Sequence, residues 1–152
     1  MAITAITPLI TLAYDFASDG LYYNITSTDD LTVEVTYKTT SYNSYSGDIE
    51  IPSTVTNNDT TYSVTGIGTS AFRKCTSLTS IIIPETVDTI GIYAFYNCSS
   101  LTSVNIPESV DSICNSAFCK CSSLTNLTLP VSARFTTHEK KNHNIALSIM
   151  VL

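Results

Sequence analysis

The sequence predicts an α/β solenoid of about four stacked units behind a β-hairpin cap, and three sets of columns predict it. Ala71-Phe72, Ala94-Phe95 and Ala117-Phe118 recur every 23 residues, as do Cys75, Cys98 and Cys121, and Pro84, Pro107 and Pro130. A fixed period of this length marks a repeat architecture, in which each unit buries its apolar face only against its neighbours. In register the copies read IGTSAFRKCTSLTSIIIPETV from Ile67, IGIYAFYNCSSLTSVNIPESV from Ile90 and ICNSAFCKCSSLTNLTLP from Ile113.

Four segments follow from this register. Residues 1–13, MAITAITPLITLA, are apolar but lack a basic leader, and Pro8 interrupts the run, so they are expected to be a disordered start or the remnant of a signal. In residues 14–46, Leu21, Tyr23 and Ile25 alternate with polar partners. After a turn-like stretch from Thr26 to Asp30, Leu31, Val33, Val35 and Tyr37 do the same. That pattern is a β-hairpin with one apolar face, which must be covered and so serves as the N-terminal cap.

The solenoid proper is expected over residues 47–133. Asp48-Ile49-Glu50-Ile51-Pro52 matches the strand end Ile81-Ile82-Ile83-Pro84, and an insertion between Pro52 and Val64 predicts an extra hairpin turning at Asn58-Asp59. Leu101, Val104 and Ile106, spaced LxxLxL, form the inward face of a short strand ended by Pro107. Val110 and Ile113 make a second extended piece, and Ala117-Phe118 onward is too short for more than one helical or 3₁₀ turn. The phenylalanine column should stack ring on ring in the core.

After Pro130 the register is expected to stop, because Thr136, Lys140 and Lys141 stand where Ile, Ala and Phe are due. Residues 134–152 are therefore expected to be an off-register tail or C-terminal cap, basic at Arg134, Lys140 and Lys141 and apolar in IALSIMVL.

Composition excludes several functions. With 13 acidic against seven basic residues, a formal net charge of −6 at pH 7, the chain lacks the general electrostatic affinity of nucleic-acid binders and of proteins that bind anionic membranes. No apolar run reaches the ~20 residues of a membrane-spanning helix, so membrane insertion is not expected. Charged residues are only 13%, and the abundant Ser and Thr suit β-rich, extracellular surfaces.

Motifs that imitate chemistry dissolve on alignment. Gly66, Gly68 and Ala71 match GxGxxA, a pattern that elsewhere admits a pyrophosphate to a helix N-terminus. The equivalent columns hold Thr89, Gly91 and Ala94, then Ser112, Cys114 and Ala117, so the glycines mark a solenoid corner. Cys75, Cys98 and Cys121 would stack about 5 Å apart, but parallel side chains make poor disulfide geometry, and they are read as buried thiols. Cys114, Cys119 and Cys121 with His138 or His143 match no zinc spacing.

Neither GxSxG nor HExxH occurs, and no catalytic residue, metal or cofactor is expected. Glu85 with Glu108 and Asp88 with Asp111 form acidic columns, read as solvated surface with weak calcium binding as the alternative. Sequons at Asn24, Asn58, Asn97 and Asn126 would matter only in a eukaryotic secretory pathway. The residues expected to contact a ligand are Ser80, Ile82, Ser103, Asn105, Asn126 and Thr128, which alternate with core positions and share the outward face of the repeat strands.

The unit AFxxCxSLTxxxxPxxVxxIG closely resembles BspA-like leucine-rich repeats, and YDFASDGLYYNITS, VEVTY and SGDIEIPSTV resemble the segment that often precedes them. The resemblance covers about residues 14–130 and implies a leucine-rich-repeat fold. It further implies a secreted or cell-surface, non-catalytic binding module of host-associated bacteria, adhering to an extracellular protein or glycan. The chain departs from the family in having few units and in its tail. The alternative is a self-assembling scaffold that stacks through its open C-terminal end.

Overall fold

The computed structural model describes residues 12–136. Residues 1–11, and the part of the expected tail that carries His138, Lys140, Lys141 and His143, lie outside the described residues. The described chain forms strands β1 (Phe16–Ser18), β2 (Leu21–Ser27), β3 (Thr32–Thr36), β4 (Gly47–Glu50), β5 (Thr54–Asn57), β6 (Thr60–Ile67), β7 (Leu78–Ile82), β8 (Thr89–Ile90), β9 (Ser103–Asn105), β10 (Ser112–Cys114), β11 (Asn126–Thr128) and β12 (Arg134–Thr136). No helix occurs among the described residues, so the α/β label gives way to an all-β solenoid.

Each repeat makes three sides. One is a rung of the parallel sheet β4-β7-β9-β11, the second a rung of the sheet β1-β2-β3-β6-β8-β10-β12, and the third the corner carrying the phenylalanines. In the first sheet Leu78, Ile81, Leu101 and Val104 point inward and are buried, as the LxxLxL spacing requires. The prolines end these strands because they cannot donate to the next rung.

The corner departs from the expected helical turn. Ala71 N donates to Gly68 O, Arg73 N to Ser70 O and Cys75 N to Phe72 O, a run of tight turns within one unit. The intervening amides of Ser70, Phe72 and Lys74 donate instead to Ile92, Ala94 and Tyr96 of the next unit. Ser70 and Lys74 have φ of 62° and 59°, and Tyr93, Asn97, Ser116 and Lys120 repeat this left-handed geometry. The left-handed residues turn alternate amides outward, where they bond the units together.

The cap begins the stack earlier than its sequence suggests. The β2–β3 hairpin is antiparallel, and β3 already pairs parallel with β6, placing Val35 beside Ile67. Leu31, expected to point inward, is instead exposed and takes φ 53° in the approach to β3. Tyr45 fills the phenylalanine position of this first unit, its ring 4.6 Å from Phe72. Its hydroxyl donates to Thr36 O and accepts from Tyr22 N at 3.2 Å, so a buried polar tip is satisfied where the apolar column ends. The insertion forms the β5–β6 hairpin, with Asn58 and Asp59 both at positive φ as a two-residue turn demands.

The boundary expected at residue 134 is also corrected. β12 pairs parallel with β10, setting Phe135 opposite Ile113, so Arg134–Thr136 forms one more rung. The register slips by a single residue there, and the half-buried aromatic side chain replaces isoleucine against the core.

Candidate functional site

The parallel pairing of β4, β7, β9 and β11 sets the candidate residues in columns. Ser80 lies opposite Ser103 and Ser103 opposite Asn126; Ile82 lies opposite Asn105 and Asn105 opposite Thr128. Ser103, Asn105, Asn126 and Thr128 are exposed, Ser80 is half-buried, and Ile82 is 60% exposed, an apolar side chain open to solvent. All six therefore share one continuous outward face.

That face continues onto β4, which the residue pattern did not bring into the site. Asp48 pairs with Ser80 and Glu50 with Ile82. The Asp48 carboxylate accepts hydrogen bonds from Ser80 Oγ at 2.6 Å and Thr79 Oγ1 at 2.7 Å. These hydroxyls hold its carboxyl below the usual range, so Asp48 is a fixed negative charge at one end of the face. Beside it, Thr102 and Thr125 Oγ1 donate to the carbonyls of Thr79 and Thr102 in the preceding unit, tying the rungs together. The face offers hydroxyls, two amides, one carboxylate pair and one isoleucine, a set of donors and acceptors suited to recognition.

The other sequence features take structural places. A Cβ on Gly91 would lie 2.7 Å from Thr69 N and 2.8 Å from Gly68 C, and one on Gly68 would lie 3.0 Å from Val35 O. The glycines allow adjoining units to approach, with Gly68 N donating to Val35 O and Gly91 N to Ile67 O, both at 2.8 Å. Cys75 and Cys98 are fully buried thiols, and Cys98 Sγ donates to Phe72 O at 3.0 Å and Cys121 Sγ to Phe95 O at 3.0 Å. Burial pushes the Cys75 thiol up, and a hydrogen bond with Cys121 together with burial does so for Cys98, so both stay protonated. Among the described residues no group of three or more His, Cys, Asp or Glu is placed to hold a metal ion. No helix among them is long and apolar enough to cross a membrane.

A second cluster, on the phenylalanine corner, has no periodic signal. The Arg73 guanidinium lies 4.8 Å from the ring centre of Tyr42 and 5.4 Å from those of Tyr93 and Tyr96. Lys120 Nζ lies 5.4 Å from the Tyr96 ring. Tyrosine occurs once in each of the columns 70/93/116 and 73/96/119, so only stacking of the units reveals the cluster.

The model of the BspA-type leucine-rich repeat region matches residues 50–142 in six copies. A leucine-rich repeat protein of Bacteroides ovatus is similar in structure, with a TM-score of 0.71 and 40% identity over 80% of this chain and 31% of that one. A leucine-rich repeat protein of Bacteroides capillosus has a TM-score of 0.70 and 26% identity, covering 89% of this chain and 91% of that one. A leucine-rich cell surface protein of Faecalibacterium prausnitzii has a TM-score of 0.60 and 34% identity, covering 73% of this chain and 29% of that one. The chain thus spans about a third of the Bacteroides ovatus and Faecalibacterium prausnitzii proteins. No curated protein matches it.

Proposed function

Because the chain belongs to the BspA-type leucine-rich repeat family, we propose that it is a non-catalytic binding module, secreted or held at a cell surface, that adheres to an extracellular host protein or glycan. The observation that carries this reading is the outward face of β4, β7, β9 and β11, where Ser103, Asn105, Asn126 and Thr128 stand exposed in two register columns beside Ile82. A set of hydrogen-bonding side chains beside one exposed apolar residue suits a polar interface with a small apolar contact. The cell-surface relative in Faecalibacterium prausnitzii supports the location.

An array of extracellular matrix proteins and glycans supplies the test. Against any ligand it identifies, alanine at Ser103, Asn105 and Thr128 should weaken binding while leaving the melting temperature unchanged, because these side chains stand outside the core. Binding unchanged by the triple substitution would remove this face from the interface.

A further inference from the structure

Charge in this molecule is sorted by side. Of the five Lys and Arg residues described, Lys38, Arg73, Lys74 and Lys120 all lie in the segments 37–45, 69–77 and 115–122 of the phenylalanine corner and its loop. Those segments and the equivalent 92–100 contain no Asp or Glu. Glu85, Asp88, Glu108 and Asp111 occupy the other corner, after the prolines. A chain of net negative charge therefore carries one cationic edge.

That edge is also aromatic. Tyr37 and Tyr42 meet edge to face at 4.9 Å, Tyr93 and Tyr96 at 5.4 Å, and Arg73 joins the two pairs. Three rings hold the guanidinium in place, yet among the described residues no hydrogen bond or ion pair engages it, and its Nε is buried without a partner. Tyr93 is 38% exposed and Ile92 44%. A guanidinium fixed in position with its donors unused is pre-organised for an anion.

We propose that the strip formed by Tyr42, Arg73, Tyr93, Tyr96 and Lys120 binds an anionic glycan, its pyranose rings lying against the tyrosines and its carboxylate or sulfate groups against Arg73 and Lys120. The strip crosses four successive units along the stacking direction, so it offers rings and cationic groups to successive residues of an extended ligand. A peptide that docks by strand addition fits less well, because that mode needs an open strand edge for its backbone. Here the amides of residues 70 to 75 are committed within and between units. This site is separate from the outward strand face and stands or falls independently of it.

The test uses the full chain on columns carrying heparin, hyaluronan or neutral dextran, with poly-glutamate titrated in solution. Binding to the sulfated or the carboxylated glycan, absent on dextran and weakened by salt, is expected. Tyr93→Ser, which leaves charge unchanged at an exposed position, should weaken it about tenfold, and Arg73→Gln at least as much. Thr56→Ala, an exposed position on the β5–β6 hairpin, should leave it unchanged. Lack of retention on both anionic glycans would overturn the proposal. So would Tyr93→Ser binding within about twofold of the parent, or poly-glutamate binding as tightly as either glycan. Should Arg73→Gln fail to fold, Tyr93→Ser decides the matter alone.

Discussion

The rings of Phe72 and Phe95 lie 5.1 Å apart, centre to centre, with their planes 8° from parallel. Phe95 and Phe118 repeat the relationship at 5.0 Å and 8°. The separation is close to the ~4.8 Å between strands, so ring stacking and rung pairing demand the same translation. A side chain that satisfies both terms at once locks the register of the units.

Phe95 makes two such contacts. Phe95→Leu keeps an apolar side chain but forfeits both ring pairs, and should cost about 1–3 kcal/mol in urea unfolding at ~0.5–1.5 kcal/mol per pair. A loss under about 0.5 kcal/mol would show that the column packs by volume alone.

Gly91→Ala should destabilise by about 1–3 kcal/mol, because the new methyl meets the backbone of Gly68 and Thr69, which cannot swing aside. Gly20→Ala is the control: nothing lies within 4 Å, and the only penalty is its φ of +81°, about 1–2 kcal/mol. Gly91 matters through contact and Gly20 through conformation. A crystal structure of the Gly91→Ala protein should show the two units pushed apart at this corner.

Asp48 and Glu34 should respond to acid in opposite directions. The Ser80 and Thr79 hydroxyls lower the Asp48 carboxyl in the folded state, so their stabilising effect is complete above the unfolded carboxylate pKa and fades as pH falls through the lower folded value. Wild type should therefore exceed Asp48→Asn in urea midpoint at neutral pH, with the gap closing in acid. A gap independent of pH would mean that the amide replaces the carboxylate equally well.

Glu34 packs over Gly66 and Gly68, where burial raises its carboxyl and a hydrogen bond with Asn24 partly offsets that. The folded state then binds this proton more tightly than the unfolded chain, so stability drops as pH rises from the unfolded pKa through the raised one. Glu34→Gln should be more stable than wild type at neutral pH and lose that advantage below the carboxylate range. Equal midpoints at every pH would show that the Glu34 charge is fully solvated.

Much of this was legible in the residues because it repeats. Phe72, Phe95 and Phe118, the strand face from Ser80 to Thr128 and the Asn58-Asp59 turn follow from columns and alternation, each being a local choice made the same way in each unit. Tyr45 and Phe135 escaped because they enter the columns out of period, one from the loop after β3 and one a residue early. The corner, expected as one helical or 3₁₀ turn, keeps i→i−3 bonds, but its alternation was not legible because left-handed residues such as Lys74 and Tyr93 carry side chains that seldom announce that conformation.

By itself the sequence determined the stack: a period, an inward face and an outward face, since each depends only on spacing along the chain. Only the tertiary structure decided which unlike residues meet across units. Arg73 reaches Tyr42, Tyr93 and Tyr96 because hydrogen bonds between alternate corner amides draw successive units together, joining side chains that share no column pattern. Asp48 likewise finds Ser80 through strand pairing, and the charge sorting of the molecule emerges only when the corners align.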